Sequence, residues 1–572
     1  MFGTMAAHAA SDWKQQLEKT SDQYFDQVYF RYAPSSGTVA GFHQYDTQLE
    51  NYSRPAIDAN IAALKDFERR IGAIQPDGSN ADFVPRSDRE ILLANIHSQL
   101  LTLETIRPWE KNADNYSSAC ANGVFVLMER KFAPPDDRLR SVIAREKQMP
   151  ALLSAARVNL QNPPRVFTEI AIEQLPDIIS FFQHDVPEAF VDAKDPALKA
   201  EFAQSNLAVI TDLTAYLNWL KSDLLPRSNG DFRIGADTFQ KKLEYDEMVD
   251  LPLDKLLQIG WADLRKNQEH FRQVAAELEP GKDPRAVLLE LDEDHPAPDQ
   301  LLNSFHATFD SLISFIRSHH IVTIPSNVQP ILEETPPFMR ATTTASMDTP
   351  GPYETHATEA YFNVTLPDRK WTPAEVDGYM HSFNVGTIVS TAVHEAYPGH
   401  YVQFLWLPQA PSKVRKLLGA NTDIEGWAHY CEQMMLDEGY GQPGVGAKDE
   451  RESRLLRLGQ LQDALLRNAR FIVGIEMHTG KMSMDQAEEF FQKEGYQSKE
   501  VAVVETKRGA GDPTYLYYTL GKLEIMKLRA DVEKREGAAF SLEKFHDDFL
   551  RQGFPPIKIV REAMLGDNSP TL

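Results

Sequence analysis

Residues 391–400 read TAVHEAYPGH and place two histidines and a glutamate inside an otherwise apolar segment. Across residues 382–412 the only Asp, Glu, Lys, Arg or His side chains are those of His394, Glu395 and His400. A segment that is apolar on all sides is usually buried. Burying one acid and two imidazoles is costly unless they are paired or bind a metal ion, so the pattern predicts a metal site.

The spacing of the two histidines predicts a distorted helix. They lie six residues apart, whereas the common helical zinc motif separates them by four. On an ideal helix a six-residue separation points two side chains about 120° apart. Pro398 cannot donate to the carbonyl of His394, and its ring clashes there. We therefore expect the helix to bulge or break at Pro398-Gly399, which brings His394 and His400 together.

The candidate for a third ligand is Glu425, which follows His400 by 25 residues. This separation suits a second helix packed beside the first. Two histidines with a glutamate form an established catalytic zinc set that leaves a fourth position for water. The sequence thus predicts one Zn²⁺ on His394, His400 and Glu425. His429 and Glu432 lie on nearby helical faces, and either can orient an imidazole N–H.

Glu395 is predicted to be the catalytic base. Glu395 is adjacent to a ligand and cannot easily bind the same ion. Zinc lowers the pKa of its bound water to about 7, and Glu395 would take the proton of that water. Two alternatives are open. The histidines can be core residues bonded to backbone, or the chain can bind zinc or peptide without turnover. A base beside a ligand argues against the second alternative, because zinc storage needs none.

Helical periodicity runs through most of the chain, and a mainly α fold is expected. We predict a tail or leader remnant over residues 1–11, an N-terminal helical region over 12–228 and a catalytic zinc region over 229–572. The two regions are expected to form one compact unit around a cleft. Strand character is confined to residues 342–366, where two strands around a turn are expected. Residues 372–375 read TPAE and predict a helix opened by a capping box.

The composition excludes some classes of partner. The formal net charge is -24 and the pI about 5.1, which argues against nucleic acid and anionic membrane surfaces. No stretch approaches the roughly 20 apolar residues that a membrane span requires. The run of small residues at 6–10 fits the stub of a cleaved leader and an artificial extension equally well. A periplasmic or secreted location is expected, with a cytoplasmic one as the alternative. The oligomeric state is left open.

Two motifs carry a resemblance to a known family. His-Glu-x-x-Pro-Gly-His at 394–400, followed by Glu-Gly-Trp-Ala-x-Tyr at 425–430, resembles the bacterial domain of unknown function 885 proteins. The resemblance covers most of the chain and includes residues 115–116, 132–139, 470–478 and 512–523.

The resemblance implies a large, mainly helical metallopeptidase, similar in plan to angiotensin-converting enzyme and the oligopeptidases. In that plan helices enclose a deep channel, and a short antiparallel sheet lies beside the zinc. It implies His394 and His400 as ligands, Glu395 as base and Glu425 as the third ligand. The strand at 362–364, with Phe362 and Asn363, would pair with an extended substrate.

The same resemblance suggests further site residues. Tyr518 would donate to the developing oxyanion, and His478 occupies a position where the family also has a histidine. Arg470 and Arg508 would hold a substrate carboxylate, with internal salt bridges as the alternative for each. The predicted function is zinc-dependent hydrolysis of short peptides, of oligopeptidase, dipeptidase or carboxypeptidase type. Hydrolysis of a non-peptide amide or ester is the alternative within the enzyme class.

Overall fold

The chain is mainly helical, as predicted. The computed structural model describes residues 3–76, 82–336, 339–340 and 343–572, with side chains from residue 13 onward in these ranges. The side chains of the predicted tail, residues 1–11, therefore lie outside the described residues. Contacts divide the chain into two units. Unit 1 comprises Met1–Phe232, Pro337–Ala341 and Pro350–Glu359, and unit 2 comprises Arg233–Pro336, Thr342–Thr349 and Ala360–Leu572.

Unit 1 is built from helices. Their bounds are α1 (Gly3–Tyr24), α2 (Phe30–Tyr32), α3 (Pro34–Val39), α4 (Arg54–Gly72), α5 (Phe83–Leu101), α6 (Pro108–Lys111), α7 (Asp114–Met128), α8 (Pro135–Glu146), α9 (Met149–Asn159), α10 (Arg165–Gln183), α11 (Asp185–Ala189) and α12 (Pro196–Trp219). Arg138 of α8 donates to the carbonyls of Leu127, Met128 and Ala133, each at 3.1 Å. These bonds tie the turn between α7 and α8, so the Arg138 segment has a structural role.

Unit 2 carries the sequence motifs of interest. Its helices are α13 (Ala236–Glu247), α14 (Leu253–Leu278), α15 (Pro284–Asp292), α16 (Leu301–Ser318), α17 (Pro373–Met380), α18 (Val385–Glu395), α19 (His400–Trp406), α20 (Lys413–Leu417), α21 (Asn421–Asp437), α22 (Glu450–His478), α23 (Met484–Lys493), α24 (Lys499–Gly511), α25 (Tyr517–Glu536), α26 (Leu542–Leu550) and α27 (Ile557–Leu565). Its strands are β1 (Ile331–Glu334), β2 (Ala345–Asp348), β3 (Tyr361–Val364), β4 (Gln442–Pro443) and β5 (Gly446–Ala447). The predicted capping box is present at the start of α17, where Thr372 and Glu375 bond each other's backbone N–H.

A three-stranded sheet in unit 2 has the order β1-β3-β2. The antiparallel pair of β2 and β3 was predicted, and Phe362 lies opposite Met347 in it. The parallel pair of β1 and β3 was not predicted, so the sheet is mixed. Residues 331–334 read ILEE, which lacks the alternation that marks a half-buried strand. Strand β2 lies against α18, which places the sheet beside the helix of the first motif.

Helices α21 and α25 touch backbone to backbone at two glycines. A Cβ added at Gly426 would lie 2.6 Å from the Cα of Gly521. A Cβ added at Gly521 would lie 1.9 Å from the carbonyl oxygen of Thr422. No side chain fits at either position without moving a helix, since Cβ atoms do not approach backbone this closely. Glu425 precedes Gly426 by one residue, and Tyr518 precedes Gly521 by three. The contact between the glycines therefore holds Glu425 and Tyr518 on adjoining turns of the two helices.

The helices of the described residues include none that is both long and apolar enough to cross a bilayer.

The buried carboxyl of Glu524 in α25 predicts a pH-dependent stability. Glu524 is 2% exposed, and burial raises its pKa from 4.5 to about 8. The folded pKa exceeds the unfolded one, so the contribution of Glu524 is fully present below pH 4.5 and is lost as the pH rises through 8. We expect Glu524→Gln to stabilise the protein by about 1–3 kcal/mol at pH 9 and to leave the free energy of unfolding nearly unchanged at pH 4.5. Melting temperatures at the two pH values test this, and an equal shift at both would contradict it.

Candidate metal centre

The two imidazoles of the first motif converge, because the helix breaks between them. Helix α18 ends at Glu395 and α19 begins at His400, so the predicted break is confirmed. The Nε2 atoms of His394 and His400 lie 3.4 Å and 3.3 Å from Oε2 of Glu425. One ligand atom from each of the three residues lies within 4.8 Å of the other two. Both histidines are buried, and Glu425 is partly buried.

Gly399 allows the chain to fold back onto the last turn of α18. Its N–H donates to the carbonyl of Val393 at 2.9 Å. A Cβ at this position would lie 1.8 Å from the carbonyl oxygen of His394. Only glycine permits this approach, because the clash is with backbone and not with a movable side chain. The dipeptide Pro398-Gly399 thus breaks the helix and also directs His400 back toward His394.

Glu432 holds the imidazole of His394 in place. Its Oε1 accepts from Nδ1 of His394 at 2.7 Å, and its Oε2 accepts from Nδ1 of His429 at 3.0 Å. Arg467 of α22 pairs with the same carboxylate at 3.0 Å. An ionised carboxylate only accepts, so Nδ1 of His394 carries a hydrogen and Nε2 is the atom that faces Glu425. Metal-binding histidines are oriented in this way.

The charges of the cluster favour a cation between the imidazoles. Burial raises the pKa of Glu425, but the adjacent His400 and His394 outweigh it and hold that pKa well below its usual range. Burial lowers the pKa of His394, but the carboxylates of Glu425 and Glu432 outweigh it and raise that pKa to about 9. The buried carboxylate of Glu432 and the partly buried one of Glu425 therefore favour positive charge here, which either a proton or a divalent cation can supply.

Glu432 itself stays ionised. Burial alone would raise its pKa, but Arg467 and His429 hold that pKa well below its usual range. Burial lowers the pKa of His429 to about 3, so this imidazole is neutral and acts as a fixed donor to Glu432. Both side chains are fully buried. Glu432 therefore orients the imidazole of His394 directly, and His429 supports Glu432.

Helix α25 places Tyr518 beside the cluster, and helices α22 and α24 carry three nearby arginines, Arg467, Arg470 and Arg508. The ring of Tyr518 stacks on that of His394 with centroids 6.3 Å apart, and burial raises the pKa of its phenol. Arg470 forms a bidentate pair with Glu505 at 2.6 Å and 2.8 Å, which is the internal salt bridge considered as its alternative. Arg508 donates to the phenolic oxygen of Tyr518 at 2.9 Å.

Arg508 differs from Arg470 in having no carboxylate partner. Within the described residues, no Asp or Glu oxygen forms an ion pair with the Arg508 guanidinium, whereas Glu505 pairs directly with Arg470 and interacts with Arg508 only at longer range. Its guanidinium lies 5.8 Å from the centre of the Tyr518 ring. Of the two predicted substrate-binding arginines, the geometry therefore favours Arg508 for an external carboxylate.

Two predicted substrate contacts on β3 are wrong. Phe362 is fully buried and Asn363 is 2% exposed. Strand β3 is the central strand, and both of its edges are paired, with β1 on one side and β2 on the other. An extended peptide needs a free edge, so β3 cannot accept one. The error came from the unrecognised strand β1, which occupies the edge assumed to be open.

The structure does not bring His478 to the cluster. It lies 11 residues beyond Arg467 on α22, which is about 16 Å along a helix axis. Its Nε2 bonds the carbonyl of Gly509 at 2.8 Å, and its ring lies near Phe239. This histidine therefore anchors α24. Arg467, by contrast, was missed, although its position three residues before Arg470 puts both on neighbouring turns of one helix face, which was a usable signal.

The hydrogen bond from His394 to Glu432 predicts a strong effect on metal affinity. Glu432→Gln keeps the size of the side chain but removes the charge and leaves one Arg467 contact without its anion. We expect zinc affinity to fall about 10–100-fold. Competition with a zinc-binding dye measures this affinity. The control is Glu438→Gln, because Glu438 directly follows the same helix and also pairs with an arginine, Arg529. Equal affinities in the two variants would contradict the orienting role.

Comparison with known proteins places the chain in a family. The model of a family described as bacterial proteins of unknown function, DUF885, matches residues 34–564. The chain belongs to this family. The whole of the metal centre lies within the part that the DUF885 model matches. No curated protein matches the sequence.

Two solved structures resemble this DUF885 member. A candidate lipoprotein of unknown function from Shewanella oneidensis is 25% identical, with a TM-score of 0.77, over 96% of this chain and 99% of that one. A candidate lipoprotein from Colwellia psychrerythraea is 17% identical, with a TM-score of 0.78, over 98% of this chain and 99% of that one. The likeness covers 99% of each of these two chains. At 17% identity the second comparison establishes the fold alone.

Proposed function

We propose that this protein is a zinc-dependent peptidase that hydrolyses short peptides. The observation that carries the proposal is the position of Glu425 Oε2, 3.4 Å and 3.3 Å from the two imidazole nitrogens. Ligand atoms bound at 2.0–2.1 Å in a tetrahedral site lie about 3.3–3.4 Å apart. The two distances from Glu425 Oε2 match edges of a zinc tetrahedron, and all three donor atoms lie within 4.8 Å of one another.

The unsatisfied oxygen of Glu425 is a second argument for a cation. Its Oε2 is buried and has no hydrogen-bond partner within the described residues, although two imidazoles are close. A buried carboxylate oxygen is normally hydrogen-bonded, so an oxygen left without a partner calls for an explanation. The set of two histidines and one glutamate fits zinc, and His394, His400 and Glu425 would hold it.

Glu395 is proposed as the general base. When bound, zinc supplies Lewis acidity and lowers the pKa of a coordinated water toward 7. Glu395 is the last residue of α18 and is 8% exposed, and no described residue hydrogen-bonds its carboxylate. The carboxylate is thus available to take a proton from water as the oxygen attacks the peptide carbonyl. It then passes that proton to the nitrogen of the leaving amine as the C–N bond breaks.

Tyr518 and Arg508 are proposed to bind the substrate. Tyr518 accepts a hydrogen bond from Arg508, which leaves its own O–H free to donate to the oxygen of the tetrahedral intermediate. Arg508, without a carboxylate partner in the described part of the chain, would bind the terminal carboxylate of a short peptide. This pairing favours exopeptidase or dipeptidase action over cleavage within long chains.

A chelator experiment tests the proposal. Hydrolysis of a panel of short peptides should disappear after zinc is removed and return when zinc is restored, with metal content followed by elemental analysis. Undiminished hydrolysis in the zinc-free sample would refute it. Activity on amides or esters alone would favour the non-peptide hydrolase, and bound zinc without turnover on any substrate would favour a binding protein.

We also propose a periplasmic or secreted location. The support is that both similar structures are described as candidate lipoproteins. Fractionation of the source cells with an antibody against this chain tests it. Recovery of the protein with the cytoplasmic fraction alone would refute the location.

A further inference from the structure

We propose that His295, Asp377 and His381 of unit 2 form a second zinc site, which we call the peripheral site. His295 lies in the connection between α15 and α16, Asp377 lies on α17, and His381 follows the end of α17. Each of the three residues contributes one ligand atom, and these atoms lie within 4.8 Å of one another. The site is separate from the proposed catalytic zinc and does not depend on that proposal.

The distances in the peripheral site suit a bridging ion better than an ion pair. Nε2 of His295 lies 3.6 Å from Oδ1 of Asp377, and Nε2 of His381 lies 3.7 Å from Oδ2. Both separations exceed the 2.7–3.2 Å of an ordinary N–H···O hydrogen bond. They approach the roughly 3.3–3.4 Å between neighbouring ligands of a tetrahedral zinc ion, and a small side-chain movement closes the difference.

The hydrogen bond of His295 prepares it as a ligand. Its Nδ1 donates to the carbonyl of Pro296 at 3.0 Å, which leaves a lone pair on Nε2. Metal-binding histidines almost always donate their second nitrogen to a carbonyl or a carboxylate in this way. The side chain of His295 is only 15% exposed, so its ring is held in this orientation by its surroundings.

The ligand set selects the class of metal. Imidazole ligands suit zinc and its neighbours in the first transition series, whereas magnesium and calcium prefer sites made of oxygen. Asp377 is 67% exposed, so the remaining coordination positions face solvent and would be filled by water. A solvent-open site with three protein ligands would exchange its ion readily.

A cation here would join two segments that precede the catalytic helix. It would tie the connection after α15 to the end of α17, and the residues after His381 lead directly into α18. Because an ion that binds only the folded state stabilises it, zinc at the peripheral site should raise the melting temperature of the protein. We infer a structural role for this site, since its ligands come from two separate segments that an ion would hold together.

Zinc stoichiometry tests the proposal. The full chain, stripped with a chelator and desalted, is dialysed against ZnCl₂ in the presence of excess Mg²⁺ and Ca²⁺, and bound zinc is measured. We expect two zinc ions per chain, falling to one in the double variant His295→Ala/His381→Ala and also in Asp377→Asn. His356→Ala, at a histidine with a 72% exposed side chain, is the matched control and should keep two.

The design separates this proposal from the catalytic one. His400→Ala should also reduce two zinc ions to one, by removing the catalytic ion. If the catalytic site does not bind zinc, the unmodified chain will hold one ion and the peripheral double variant none. A peripheral double variant that binds as much zinc as the unmodified chain overturns the peripheral site. Asp377→Asn guards against misfolding, because it changes an exposed side chain by a single group.

Discussion

Replacing Glu395 with glutamine is expected to leave zinc bound and to lower kcat by about 10²–10⁴-fold. Glutamine has the shape of glutamate, but its neutral amide cannot take a proton from water. Glu395 is not part of the ligand cluster, so the metal content should be unchanged. The measurement is kcat on the best peptide of the panel, together with zinc per chain in the same preparation.

The control for Glu395→Gln is Glu244→Gln, which removes an exposed carboxylate of α13 in the same unit. It should have the kcat of the unmodified chain. Parent-like turnover in a zinc-loaded Glu395→Gln protein would exclude this residue as the base. Loss of zinc along with activity would instead mean that Glu395 contributes to the metal centre itself.

Replacing Arg508 with glutamine is expected to lower kcat/KM for peptides with a free C-terminus by about 30-fold or more. Breaking a partly buried charge pair typically costs about 2–5 kcal/mol. The same peptides with an amidated C-terminus lack the anion, so the substitution should affect them little. Comparing the two substrates in both proteins isolates the contact, because any general damage to the site lowers both rates equally.

Tyr518→Phe provides the contrasting variant for Arg508→Gln. It removes the phenolic oxygen that accepts from Arg508 and is proposed to donate to the oxyanion. We expect it to lower kcat for free and amidated peptides alike. If Arg508→Gln also lowers both rates by the same factor, the arginine positions Tyr518 and does not bind the substrate carboxylate.

Local chemistry in the sequence was enough to predict the break between His394 and His400. A proline that cannot donate and a glycine that can approach backbone act within one helical turn, so their effect needs no knowledge of the rest of the fold. The same holds for the capping box at Thr372. The placement of Glu425 could be anticipated because its separation of 25 residues from His400 suits a second helix packed beside the first.

Interactions between distant segments could not be derived from the pattern of apolar and polar residues along the sequence. Whether β3 is an edge strand depends on β1, which lies 30 residues earlier and carries no alternation. Arg470 and Arg508 look equivalent in the sequence, and only the position of Glu505 separates them. His478 follows the family pattern, yet the length of α22 carries it away from the cluster. In each case the deciding contact joins segments that are far apart in the chain, and local sequence patterns do not predict such contacts.

The backbone contact between Gly426 and Gly521 has a consequence for redesigning this protein. It works as a rigid joint, so the spacing between Glu425 and Tyr518 is set by main chain and not by adjustable side chains. Substitutions at the joint would displace both residues together. Variation of substrate preference should therefore be sought at Arg508, whose long side chain can change without shifting either helix.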